Sequence, residues 1–238
     1  MLVTLDHTEP VADHIISFYF KPARPIRYTA GQFIELTLPI DKPDARGRKH
    51  WFTLSTSPSE ELAAITTKFP TGDAQVSTFK QTLKSLKPGD QVMMSDPMGD
   101  FVLPKDKTIP LVLIAGGIGA TPFRSIIKYL HDNQEHRTIQ LLYAANTLEE
   151  VAFRELFTAY GLPVTIILST PPAGWDGQAG RLTPKKILEL APDVDKKLYF
   201  VSGPEPMVEG LVKGLQGAGV EKRRIVGDYF PNYPDNIR

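Results

Sequence analysis

The sequence predicts two unlike parts: an antiparallel β-barrel, then an α/β domain with a five-stranded parallel sheet. Three observations predict this. Residues 1 to about 105 hold short runs rich in Ile, Phe, Thr and Leu between Pro, Gly or charged turns, the pattern of a small barrel. From residue 106 onward, apolar strand runs alternate with amphipathic segments, which implies parallel strands covered on both faces. The composition breaks at Pro104-Lys105-Asp106-Lys107. That break divides the chain into residues 1–105 and 106–238.

Four strand runs open the first part: His14–Pro22, Gly31–Pro39, His50–Ser57 and Leu62–Phe69. In the second, Phe33, Glu35 and Thr37 alternate with Ile34, Leu36 and Leu38, as on a half-buried strand. One helix interrupts, Val76–Leu86, with Phe79, Leu83 and Leu86 as its apolar stripe. Lys87-Pro88-Gly89-Asp90 ends it, and a further strand, Gln91–Ser95, follows. The second part reads as strands Leu111–Ala115, Ile139–Ala144, Val164–Ser169, Leu198–Ser202 and Arg224–Gly227. Helices Pro122–His131, Leu148–Tyr160, Pro184–Leu190 and Pro206–Gly217 lie between them.

Composition removes several function classes. The chain has 238 residues, 42% hydrophobic and 23% charged, with 27 basic and 27 acidic side chains. A net charge of zero gives no reason to expect nucleic acid or an anionic membrane as partner. No apolar run approaches the roughly 20 residues of a membrane span, and the first residues lack the pattern of a signal peptide, so a cytoplasmic location is expected. The absence of cysteine excludes disulfides, catalytic thiols, and thiolate-held zinc or iron–sulfur clusters within this sequence. The five histidines show no metal-ligand spacing, so no metal site is expected. Redox chemistry would have to come from an organic cofactor.

The stretch Ile109–Leu130 carries the strongest chemical signal. Five apolar residues lead into Gly116, Gly117 and Gly119, and Thr121-Pro122 then opens a helix. Glycines let backbone N–H groups approach a phosphate, and a helix N-terminus favours negative charge. Pro122 stands where a dinucleotide fingerprint has its third glycine, and Ala144-Ala145-Asn146 ends the next strand without an acid. The stretch therefore reads either as an anion site or as a tight turn without ligand. In the barrel, Phe52 offers ring area to a flat heterocycle and Thr53 a hydrogen bond to a ring nitrogen. Ordinary sheet composition accounts for the same two residues.

The order of motifs adds information. Gly31-Gln32-Phe33, His50-Trp51-Phe52-Thr53-Leu54-Ser55 and Val76-Ser77-Thr78 precede Gly116–Pro122. Ser202-Gly203-Pro204-Glu205-Pro206-Met207 and Asp228-Tyr229-Phe230 follow. From near its start to about Tyr233, the chain resembles the ferredoxin–NADP reductase family of flavoenzymes. The resemblance implies that Phe52 lies against a flavin ring and that Thr53 bonds near its N5, with His50, Leu54 and Ser55 in the same motif. Thr67 and Lys68 look like a second flavin-contact segment. Val76, Ser77 and Thr78 would hold the FAD diphosphate. Gly116, Gly117, Gly119, Thr121 and Pro122 would form the dinucleotide site, with Asn146 at a ribose. Gly203, Pro204 and Met207 would line the nicotinamide side near Ser202, and Asp228 and Phe230 would sit near the flavin.

Three departures from the family stand in the sequence: His50 where arginine is usual, Gln75 where glycine is usual, and Ser202 where a thiol is often found. Arg48 and Lys49 are the nearby cations expected to compensate for His50. The implied activity is hydride transfer from NADH or NADPH to FAD, with electrons passed on to an acceptor. The alternatives are a flavin reductase using free flavin as substrate, and an electron-transfer or nucleotide-sensing subunit. Lys80, Lys84 and Lys87 repeat at helical spacing, either as a solvated face or as a dock for an acidic carrier such as a ferredoxin or flavodoxin. A small-molecule acceptor fits equally.

Overall fold

The structure, a computed structural model, describes residues 1–71 and 76–229. The first sheet contains β1 (Leu2–Ala12), β2 (Ile15–Pro22), β3 (Phe33–Thr37), β4 (Lys49–Thr53), β5 (Ala63–Lys68) and β6 (Gln91–Met94). Its order is β4-β3-β6-β1-β2-β5, and every pairing is antiparallel. A bridge between Leu54 and Ile65 brings the two edge strands together, so the sheet curls into a barrel, which removes its edges. Val3, Leu5, Phe18, Phe20, Ile34, Leu36, Ile65 and Phe79 fill its interior. Helix α1 (Thr78–Ser85) contributes Phe79 and Leu83 to that core.

The second sheet contains β7 (Leu111–Gly116), β8 (Ile139–Ala145), β9 (Val164–Leu168), β10 (Gln178–Ala179), β11 (Leu198–Ser202) and β12 (Ile225–Asp228). All pairings are parallel, in the order β10-β9-β8-β7-β11-β12. Helices α2 (Thr121–Asp132), α3 (Arg154–Ala159), α4 (Pro184–Leu190) and α5 (Glu205–Gly217) connect its strands. β7 is buried throughout. Leu111, Leu113 and Ala115 face one core, and Val112 and Ile114 face the other.

Two expectations about this sheet change. It has six strands, not five, because two residues of β10 pair with β9; a pair that short carries no alternation to read. The helix expected over Leu148–Tyr160 is broken into a 3-10 turn, Leu148–Glu150, and α3. Phe153 sits at φ 61°, outside the helical region. The Ala152 N–H donates to the Tyr143 hydroxyl at 3.1 Å instead of to a helical carbonyl. In the barrel, β1 is a strand that the sequence pattern does not mark, because Asp6, His7, Glu9 and Pro10 obscure its alternation.

Candidate functional site

The strand order reverses direction at β7, where β8 lies on one side and β11 on the other. In an open parallel sheet, the crevice beyond the strand ends at such a point is where ligands bind. A cleft of about 970 Å³ opens there, lined among others by Gly116, Gly117, Asn146, Pro204, Met207 and Lys68. Five of these six come from the parallel-sheet half, whereas Lys68 ends β5 of the barrel. The cleft therefore spans both halves.

The glycines of the turn have different jobs. Gly117 has φ +51°, and a Cβ there would meet nothing within 4 Å, so its backbone is open to a ligand. Gly119 is buried, and a Cβ would lie 2.2 Å from the Ser202 carbonyl oxygen. Its lack of a side chain lets the turn press against the end of β11. At Gly116 a Cβ would strike Met207 Sδ at 2.3 Å, and at Gly203 it would lie 3.2 Å from Gly116 Cα. The Gly116–Gly119 turn and the Gly203-Pro204 turn thus pack back to back. Thr121 and Pro122 are buried at the start of α2, and the Thr121 hydroxyl donates to the Ile118 carbonyl at 3.2 Å.

A residue that sequence reasoning missed fixes this turn from beneath. The buried Tyr143 hydroxyl donates to the Gly117 carbonyl at 2.9 Å, and burial pushes its pKa up. Its only sequence signal was an aromatic in an aliphatic strand. Farther along the cleft, Asn146 donates to a Glu150 carboxylate oxygen at 3.2 Å and accepts from the Ser169 hydroxyl at 3.0 Å. Glu150 also pairs with Lys68 at 2.7 Å.

On the barrel side, the rings of His50 and Phe79 lie 4.0 Å apart, and Phe52 lies 5.9 Å from Phe79. Phe52 is half-buried, which leaves part of its ring for a further flat group. Thr53 is 4% exposed, and its hydroxyl makes no hydrogen bond among the described residues. Thr67, on β5, is also buried. Leu54 belongs to the barrel core, and its N–H donates to the Gln32 carbonyl at 3.0 Å. The Ser55 hydroxyl turns inward, to Ala64 and Thr66. Burial first, then the Lys80 charge, lowers the His50 pKa to about 4. The ring is neutral near pH 7, unlike the arginine usual in the resembled motif.

At α1, the Ser77 hydroxyl accepts from the Lys80 N–H at 3.1 Å and caps the helix. The Val76 carbonyl accepts from the Gln81 side chain at 3.0 Å. The Thr78 N–H donates to Asp44 at 3.0 Å. Lys49, expected to compensate for His50, instead pairs with Glu35 at 2.9 Å, and Arg48 is exposed. Arg46 is linked to the α1 N-terminus through Asp44, whose carboxylate accepts from both Arg46 and the Thr78 N–H. The lysine row is also partly engaged: Lys80 donates to the Lys68 carbonyl at 2.8 Å, and Lys84 lies over the Phe69 ring.

At the end of β11, Ser202 stands beside Asp228 in register. Burial raises the Asp228 pKa to about 6, opposed by a hydrogen bond from Ser202. Phe230 and Gln75 lie outside the described residues.

Residues 113–213 match the family model of the oxidoreductase NAD-binding domain. Flavohemoprotein A of Dictyostelium discoideum is 28% identical over 235 residues, covering 95% of this chain and 59% of its own length. The glycine betaine monooxygenase reductase subunit of Chromohalobacter salexigens is 26% identical, with 96% and 61% covered. The crystal structure of a ferredoxin NADP+ reductase from Neisseria gonorrhoeae superposes with a TM-score of 0.79 at 17% identity, covering 96% of this chain and 97% of that one. The chain thus carries an oxidoreductase NAD-binding domain over residues 113–213 and shares the fold of the ferredoxin NADP+ reductase. It spans about three fifths of the length of these two curated relatives.

The chain's own donor set suits FAD and a nicotinamide dinucleotide. Phe52 supplies ring area, the Thr53 hydroxyl has capacity for one more bond, and Gly117 opens onto the cleft. The α1 N-terminus suits a diphosphate, since it already holds one carboxylate. Among the described residues, no helix is long and apolar enough to cross a membrane.

Proposed function

We propose that this chain is an NAD(P)H-dependent flavoprotein reductase that sends electrons from reduced nicotinamide, through FAD, to a separate acceptor. The single observation that carries this reading is the cleft shared by the glycine turn after β7 and Lys68 of the barrel. A bound flavin would supply a ring that accepts hydride and releases electrons singly or in pairs. The protein's part is placement, and positioning alone can contribute several kcal/mol to such a step.

Thr53 would donate its hydroxyl to the flavin ring near N5, and Phe52 would lie along it. Gly116, Gly117, Thr121 and Asn146 would hold the dinucleotide, while Gly203, Pro204 and Met207 line its nicotinamide end. Asp228, with Ser202 as its hydrogen-bond donor, would hold a proton near that end below about pH 6. The acceptor is proposed to be a protein partner, of which an acidic ferredoxin or flavodoxin met by Lys84 and Lys87 is one form. The relatives named above include a flavohemoprotein and the reductase subunit of an oxygenase.

A second reading, a flavin reductase that takes free flavin as substrate, is favoured by one observation: neutral His50 in the position of an arginine. One experiment separates the two. An absorption spectrum of the purified protein is recorded before and after anaerobic addition of NADH or NADPH. A yellow protein bleached by nucleotide supports the reductase. A colourless protein that oxidises nucleotide only with added flavin supports the second reading, and bound flavin that neither nucleotide reduces overturns both.

A further inference from the structure

The loop between β3 and β4 places an anion of the protein's own at the start of α1. Asp44 Oδ2 accepts from the Thr78 N–H at 3.0 Å, and the Asp44 N–H donates back to the Thr78 hydroxyl at 3.1 Å. Arg46 closes on the same carboxylate, with Nη2 at 2.8 Å and Nε at 3.0 Å, while its backbone N–H donates to Oδ1 at 3.1 Å. Asp44 is well formed as an anion: the Arg46 bonds, aided by the Thr78 N–H, lower its pKa to about 2. A carboxylate bridging a helix N-terminus and a guanidinium has the chemistry of a bound phosphate.

We propose that Asp44 is an internal stand-in for the flavin diphosphate, holding the Thr78 N–H and the Arg46 guanidinium until FAD displaces it. This rests on the reading that FAD is the cofactor. It assigns Arg46 as the cation that serves the diphosphate in a chain with neutral His50. It also makes FAD binding an exchange of one anion for another, so that the Asp44 charge lowers FAD affinity. Riboflavin, which has the same ring and no phosphate, has no part in that exchange.

The test uses flavin-stripped full-length protein and dissociation constants for FAD and riboflavin from flavin fluorescence quenching. Asp44→Asn keeps the shape and removes the charge, and FAD binding is expected to tighten about tenfold, the scale of one charge-assisted bond. Arg46→Gln is expected to weaken FAD binding about tenfold or more. Riboflavin binding should stay unchanged in both. FAD binding by Asp44→Asn that is unchanged or weaker than wild type would overturn the proposal, because Asp44 would then be only a helix cap. Should that variant fail to fold, the Thr78 amide NMR signal of wild type is followed as inorganic pyrophosphate is added. A saturable shift supports displacement, and no shift overturns it. Equal wild-type affinity for FAD and riboflavin would instead remove the FAD reading itself.

Discussion

Two titratable side chains, the buried His50 and the half-buried Asp228, act on stability with opposite sign. His50 has its pKa lowered to about 4 by burial and the Lys80 charge. The unfolded state binds its proton near pH 6.5. Stability from His50 is therefore present above 6.5 and is lost as pH falls through 4. Asp228 has its pKa raised to about 6, mainly by burial. Its contribution is complete below about pH 4 and is lost as pH rises through 6. Each is worth at most about 3 kcal/mol at 1.36 kcal/mol per pH unit, so between pH 4 and 6 the two largely cancel. Urea unfolding across that window should show a steeper rise with pH in Asp228→Asn and a fall in His50→Gln. Parallel curves for both variants and wild type would remove the assignment. The cofactor preference also sits on single residues. Glu150 holds Asn146 in the cleft, so a 2′-phosphate at Asn146 would face a carboxylate, and NADH should be used at least as well as NADPH. Glu150→Gln should raise the NADPH to NADH ratio of kcat/KM about tenfold. A wild type preferring NADPH tenfold, with no gain in the variant, would refute this.

At the scale of elements, the glycine turn makes a prediction that separates packing from binding. Gly119→Ala puts a methyl against the Ser202 backbone, which cannot turn aside as a side chain can. Gly117→Ala meets no atom within 4 Å but retains φ +51°, a backbone cost of about 1 kcal/mol. Thermal unfolding should drop sharply for Gly119→Ala and little for Gly117→Ala, with nucleotide affinity reduced more selectively in the second. Equal effects would mean that both glycines serve the same end. These elements were legible to different degrees. The β7–α2 unit was readable because an apolar run, three glycines and Pro122 are local signals, and Phe123, Ile126, Ile127 and Leu130 keep helical spacing. β10 and the break at Phe153 were not, because one depends on a neighbouring strand and the other on Tyr143, a distant residue. Arg46 is hidden from the sequence for the same reason. Proximity in sequence favoured Arg48 and Lys49, whereas the loop carries Arg46 back to α1 and β3 draws Lys49 to Glu35.

Across the whole molecule, α2 ties the two sheets together. The 8% exposed Arg124 donates from Nη2 to Glu60 at 2.9 Å and from Nη1 to the Ser55 carbonyl at 3.0 Å. The adjacent Ser125 hydroxyl donates to the Thr56 carbonyl at 2.5 Å. The helix that begins at the glycine turn is thereby anchored to the chain just after Thr53, the two places that the proposed ring-to-ring transfer would need in register. The pair is asymmetric, since the Arg124 side chain is 10% exposed and that of Glu60 23%. Removing one partner of a buried pair costs about 3–5 kcal/mol because the other charge is left without its counter-ion. Glu60→Ala should thus destabilise more than Arg124→Met, since Glu60 keeps the Ser57 N–H at 2.6 Å and some solvent. The double variant should recover part of the loss, giving a coupling of about 1–3 kcal/mol in a double-mutant cycle. The consequence for transfer is expected to exceed that for folding. A displacement of about 1 Å between reacting groups can cost on the order of 100-fold in rate. Flavin reduction by NADH in stopped flow, below the unfolding midpoint, should therefore slow in Glu60→Ala while flavin content holds. An unchanged rate in a destabilised variant would show that α2 supports the fold without setting the register of the two halves.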